Sequence, residues 1–204
     1  MKKGFLLFLI IFNTAVFSQA KGNIELGFNI GGNGSTVTQS NYTYPNAIGY
    51  NAGVSLEYYF SNEWGVKSKL IYDQLGWNKD LIYVASTDSY VSTDFRLNYL
   101  TIPVLANYHF GNKKEIYFNF GPYVGVLLDA HEKRFNTDVK KFFNTTDFGL
   151  MIGIGYTTIV SDKIKFLVGF DAHGGIIDVV KYNEKPSVLN TCLNFNIGLN
   201  VLLK

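Results

Sequence analysis

Residues Ile48 to Phe60 read IGYNAGVSLEYYF and divide into two faces. Ile48, Tyr50, Ala52, Val54, Leu56, Tyr58 and Phe60 share one, while Gly49, Asn51, Gly53, Ser55, Glu57 and Tyr59 share the other. A period of two marks a strand with one apolar and one polar side. The pattern recurs along the chain and predicts eight strands, over roughly 24–33, 48–60, 64–77, 93–110, 116–128, 147–160, 164–174 and 189–203. Their connections alternate in length. Ser61-Asn62-Glu63, Gly111 to Glu115 and Ser161-Asp162-Lys163 are short and rich in turn residues, whereas 34–47, 78–92, 129–146 and 175–188 are long. Short turns on one side and long loops on the other are the pattern of an outer-membrane barrel. The fold class expected is therefore all-β: an eight-stranded antiparallel up-and-down transmembrane β-barrel.

The dimensions agree. A ten-residue strand rises about 33 Å, and a tilt of about 40° projects this to roughly 25 Å, the height of the apolar band. The outward set of the fifth strand is Ile116, Phe118, Phe120, Pro122, Val124, Val126 and Leu128. Tyr50, Tyr58, Trp64, Trp77, Tyr108 and Tyr156 fall near strand ends, where amphipathic rings favour the interface. The fourth strand breaks phase: Phe95 and Leu97 alternate one way, and Leu100, Ile102, Val104, Ala106 and Tyr108 the other. A bulge near Tyr99 is expected to restore the phase, with Pro103 pointing inward. A soluble barrel would show the same alternation with its faces reversed. Here the polar face is rich in small residues (Gly49, Gly53, Gly121, Gly153, Gly169) that suit a narrow interior, and the large aromatics stand on the apolar face.

The first twenty residues change the picture next. Lys2 and Lys3 precede an apolar run from Phe5 to Phe17, and Ser18 and Ala20 supply the small residues read at cleavage. The expected division is a signal peptide at 1–20 and a barrel domain at 21–204. No later stretch approaches the ~18 unbroken apolar residues of a membrane helix. The 18 basic residues less Lys2 and Lys3 leave 16 against 16 acidic ones, so nothing draws the mature chain to nucleic acid. Charged residues make up 17% and aromatics 16%, which fits a surface facing lipid. Cys192 has no second cysteine to pair with and reads as a small buried side chain.

Three motifs carry a family resemblance: YLTIPVLANY at Tyr99–Tyr108, GPYVG at Gly121–Gly125 and DFGLMIGIGY at Asp147–Tyr156. In this order they resemble the PorT-like outer-membrane β-barrel family of the Bacteroidetes type. The resemblance implies an eight-stranded barrel in the outer membrane, and some such barrels accompany secretion and gliding machinery. Asn107 stands where that strand usually carries lysine, and the chain ends Leu202-Leu203-Lys204 rather than on an aromatic residue.

Glu25, Glu57, Lys67, Lys69, Asp73, Arg96, Asp147, Lys165, Asp171 and His173 fall on the inward face. Eight strands leave an interior just wide enough for side chains, so these groups are expected to pair there as a polar plug. A wide, porin-type channel needs about 16 strands and is excluded. In the longest outer loop, Lys133, Arg134, Lys140 and Lys141 interleave with Phe135, Phe142 and Phe143. Such a cluster suits contact with lipopolysaccharide phosphates or a protein partner, and the alternative is an ordinary mobile loop with its aromatics folded onto the barrel rim. His131 and Glu132, near Asp129, are the one catalytic candidate, and no serine or second histidine accompanies them locally. His109, His131 and His173 are too scattered for a metal ligand set.

The expectation is a non-enzymatic integral barrel in the bacterial outer membrane, without cofactor or metal. Its partners would be outer-membrane lipid, lipopolysaccharide, and proteins met through the outer loops or periplasmic turns, in a structural, adhesive or accessory role. The alternatives are a small gated channel for ions or small solutes, and an outer-membrane hydrolase or acyltransferase.

Overall fold

A computed structural model describes residues 21–40, 42–182 and 187–203. The signal peptide expected at 1–20 lies outside the described residues. The strands are β1 (Ile24–Gln39), β2 (Tyr42–Thr43), β3 (Ala47–Tyr59), β4 (Trp64–Val84), β5 (Ser89–Phe110), β6 (Ile116–Glu132), β7 (Thr137–Asp138), β8 (Thr146–Ser161), β9 (Ile164–Gly175) and β10 (Val188–Leu202). β2 and β7 are two-residue pieces in the outer loops. The other eight pair antiparallel in chain order, and β10 returns to β1 to close the ring. That closing ladder runs from Glu25 opposite Leu202 to Gln39 opposite Val188. Closure removes every sheet edge from the spanning segment, as a bilayer demands.

Two aromatic levels bound the outward apolar band. At the short-turn end, Trp64 packs on Tyr108 with ring centroids 4.7 Å apart, and Ile116 pairs with both Phe110 and Tyr156. At the other end, Tyr50 and Tyr72 stack at 5.9 Å. Trp64 and Tyr72 are eight residues apart on β4, which at ~3.3 Å per residue and ~40° of tilt is roughly 20 Å of height. Between the levels, Phe28, Val54, Phe120, Ile152, Phe170 and Phe195 point out and are exposed.

Above the upper level the rule inverts. On β5 the odd positions from Thr93 through His109 are buried without interruption. Phe95, Leu97 and Tyr99 therefore point inward in the same phase as Thr101, Asn107 and His109. The bulge expected in this strand near Tyr99 is not there. The hydrophobicity changes face because the outer side of the strand leaves lipid for water. The irregularity at this height sits on β6: Asn98 opposes Asp129 and Tyr99 opposes Leu127, so Leu128 is the extra residue. Pro103 does face inward and is buried.

Three further expectations are corrected at this end of the barrel. Arg96 is not in the lumen; it lies on the outer face, where Nη1 donates to the Phe95 carbonyl at 2.8 Å. Trp77 is 3% exposed and sits inside rather than at the interface. The expected loop 78–92 is mostly hairpin, since β4 runs on to Val84 and β5 begins at Ser89. Asn78 and Lys79 form a bulge opposite Asp94, with Lys79 at φ 60° and its N–H donating to Asp94 Oδ1 at 3.0 Å.

An apolar plug fills the outer mouth. Val37, Leu75, Trp77, Phe95, Leu97, Tyr99, Leu127 and Ala130 from the wall meet Val139, Phe143 and Val179 from the loops, with Val188 and Cys192 of β10. Trp77 stacks on Phe95 at 4.8 Å, and Phe143 closes edge-on over both, at 6.0 and 6.2 Å. Burying each such side chain stabilises this end by about 1.5–3 kcal/mol.

Candidate functional site

The inward positions of the strands assemble a polar column below the plug. At its base Lys165 Nζ bonds Glu25 Oε1, and Asn200 Nδ2 donates to Glu25 Oε2 at 3.4 Å. Glu57 receives Lys67 Nζ at 3.4 Å and, at 2.7 Å, both His109 Nε2 and Asn107 Nδ2. One layer up, Lys69 Nζ donates to Asp171 Oδ2 at 2.8 Å, and Asn196 Nδ2 reaches the same oxygen at 3.0 Å. Asn51 donates to Asn194 at 3.1 Å. Near the top, Asp147 Oδ2 accepts Tyr123 Oη at 2.9 Å and Asn190 Nδ2 at 3.0 Å. Asp73 and His173 are buried at this height, with the Tyr123 and His173 rings 5.1 Å apart.

Glu25, Glu57, Lys67, Lys69, Asp73, Asp147, Lys165, Asp171 and His173 thus share the interior, and only Arg96 of the inward set does not. His109, Asn107, Asn194 and Asn196 join them. Their phase on β5 and β10 is the signal that identifies them. Pairing of this kind lets Glu25, Glu57, Lys67, Lys69, Lys165 and Asp171 stay buried, because an unpaired charge would cost several kcal/mol. Asp73 and His173 depart from the expected pairing: the carboxylate oxygens and both ring nitrogens have no hydrogen-bond partner among the described residues. Small residues make the fit possible. A Cβ added to Gly155 or Gly169 would lie 2.3 or 2.2 Å from Tyr117 Oη, the ring that spans the column. A cavity of about 20 Å³ bordered by Ser55, Lys67, Lys69, Tyr117 and Asp171 has room for roughly one water.

The outer loops place the basic–aromatic cluster. Phe143 is corrected: it is 4% exposed in the plug and turned away from any partner. Lys141, Phe142, Lys133, Arg134 and Phe135 are exposed. Lys140 Nζ donates to the Leu128 carbonyl at 2.6 Å, and Lys141 Nζ lies 5.0 Å from the centre of the Phe142 ring. Arg134 Nη1 donates to Ser92 O at 3.1 Å. Glu132 is engaged in building the turn rather than in orienting His131. Its carboxylate accepts Thr93 Oγ1, Arg134 N–H at 2.6 Å and Phe135 N–H at 2.9 Å. Burial works to raise its pKa, yet these hydrogen bonds and the Arg134 charge together hold it below the usual carboxylate range. His131 Nε2 instead lies 3.7 Å from Asp129 Oδ1. Among the described residues no three His, Cys, Asp or Glu side chains gather as a metal set.

Comparison with known proteins gives the same architecture. Among solved structures the chain is similar to OprG of Pseudomonas aeruginosa, at 12% identity and a TM-score of 0.53 over 91% of this chain and 98% of that one. It is also similar to Neisserial surface protein A, at 18% identity and a TM-score of 0.52 over 86% and 96%. Identities this low speak for the fold alone. Among curated proteins nothing matches. The model of the outer membrane protein beta-barrel domain matches residues 17–181, a span holding seven of the eight strands of the ring. A closed ring with lipid-facing aromatics and this domain's sequence has one setting: the chain belongs to the outer-membrane protein beta-barrel family and is an integral protein of the bacterial outer membrane.

Proposed function

We propose that this barrel is a closed, non-enzymatic scaffold that holds an external hairpin and loops for a protein partner, in an adhesive or accessory role. The observation that carries the reading is the contrast between a shut interior and a projecting exterior. The lumen is filled by polar side chains, most of them paired, beneath an apolar plug. β4 and β5 meanwhile continue past the upper aromatic level and turn at 85–88. On the outward face of this hairpin Leu81, Tyr83 and Tyr90 are 63%, 54% and 70% exposed, with the two tyrosine rings 5.5 Å apart. Exposed apolar groups on an ordered hairpin in water fit a partner surface better than a solvated loop. The PorT-like motifs support an accessory role beside larger membrane machinery, and the engagement of Glu132 in its turn supports the absence of catalysis.

The test is chemical cross-linking and pull-down from native outer membranes, comparing the intact chain with Leu81→Ser/Tyr83→Ser/Tyr90→Ser. The expected outcome is a partner captured by the first and lost with the second. Identical capture by both chains would overturn the hairpin assignment. Current steps in planar bilayers from the intact chain would overturn the closed interior.

A further inference from the structure

The two loops flanking β8 meet at the barrel rim. Phe143 bridges Val180 in antiparallel register, and Lys181 N–H donates to the Phe142 carbonyl at 2.8 Å. In that register Phe142 and Lys181 oppose one another. They share the face opposite to Phe143 and Val180, which turn toward the plug. Lys141 and Phe142 are exposed beside them, and Ile176, whose N–H donates to the Phe148 carbonyl, is 59% exposed just below. Lys140 reaches the Leu128 carbonyl, as described. A sequence separation of forty residues thus becomes one basic face: Lys140, Lys141 and Lys181 around Phe142.

Height decides what this face meets. Ile116 lies at the lower aromatic level, and Leu128 is twelve residues above it on β6, or roughly 30 Å at ~3.3 Å per residue and ~40° of tilt. The apolar band between the two aromatic levels is roughly 20 Å tall by the same measure. The ammonium held at Leu128 therefore stands at the outer headgroup level and not in open solvent. The nearby acids are engaged in the loops themselves. Asp138 Oδ1 accepts Lys140 N–H at 2.8 Å, Asp178 Oδ1 accepts Val180 N–H at 2.9 Å, and Asp129 accepts Asn98 Nδ2 at 2.8 Å. Among the described residues no carboxylate lies within ion-pairing distance of Lys140, Lys141 or Lys181.

We propose that Lys140, Lys141 and Lys181 bind the phosphate of an outer-leaflet glycolipid, the phosphorylated lipid A part of lipopolysaccharide, with Phe142 and Ile176 lying against its sugar and acyl portions. Charge-assisted contacts from two or three ammonium groups are the ordinary way to hold a phosphate. This goes beyond the partner-scaffold reading and survives its failure, because it needs only the height and the register.

The test uses the folded mature chain in detergent micelles, titrated with diphosphoryl lipid A and, separately, with the same lipid stripped of both phosphates. Binding of the phosphorylated form should weaken at least about tenfold in Lys141→Gln/Lys181→Gln, since two charge-assisted contacts are lost. Lys113→Gln, also basic but in the short turn at the opposite end of the barrel, should bind as the parent does, and heat-modified gel mobility should show all variants folded. Three results would each overturn the site: equal binding of the dephosphorylated lipid, equal loss in Lys113→Gln, or displacement of the lipid by millimolar inorganic phosphate.

Discussion

The two ends of β5 obey opposite rules in one unbroken strand. From Thr101 to His109, inside the membrane, the inward side chains include Thr101, Asn107 and His109, and the outward ones are Ile102, Val104 and Tyr108. From Thr93 to Tyr99, beyond the upper aromatic level, Phe95, Leu97 and Tyr99 are inside and Asp94, Arg96 and Asn98 outside. Nothing in the backbone changes phase. The solvent does. A residue's place follows from what surrounds the wall at its height, so one barrel carries an inside-out half and a half built like a soluble protein.

The largest effect is expected where charge is buried in the membrane half. Lys69→Met leaves Asp171 without its counter-ion and should cost about 3–5 kcal/mol, much of it recovered in Lys69→Met/Asp171→Leu. Urea unfolding in lipid vesicles measures both. In the outer half Leu97→Ala removes a fully buried side chain of the plug and should cost about 2–5 kcal/mol. It should also raise protease cleavage within 133–145, whereas an unchanged cleavage rate would mean that the loops do not rest on the plug. Next comes the outward face of each half. Val124→Arg, in the bilayer, should cost about 2–4 kcal/mol, and Ser92→Arg, above it, no more than about 0.5 kcal/mol. Equal costs would break the division between the halves.

The smallest effect is a pH term at the rim. Because the Glu132 carboxyl is held below its usual range, its contribution is complete above an unfolded value of about 4.3 and is lost as pH falls through the lower folded value. Hydrogen exchange of the Arg134 and Phe135 amides, corrected for intrinsic rates, should stay slow above pH ~4.3 and quicken below it. Glu132→Gln should remove this dependence.

Alternation made the eight strands and their order legible because the membrane imposes one rule along most of each strand. It misled at Phe95 and Leu97, where an unchanged backbone looked like a bulge, and at Asn78-Lys79-Asp80, where a true bulge looked like the start of a loop. The inward charges could be identified one by one, yet their partners could not. Lys69 and Asp171 are 102 residues apart, and they meet only because tilt and register bring β4 and β9 together across the lumen. Phe143 and Val180 show the same limit at the rim, since the pairing of two loops leaves no periodic trace.

The plug also bears on how the cylinder holds shut. Val37 comes from the first strand, Val188 and Cys192 from the last, and all three sit in one oily knot beside the joint between those strands. That joint is therefore clasped at its outer end by packing as well as by its ladder. Parting of the two terminal strands therefore meets its added resistance at the outer end, and the clasp needs the last strand in place.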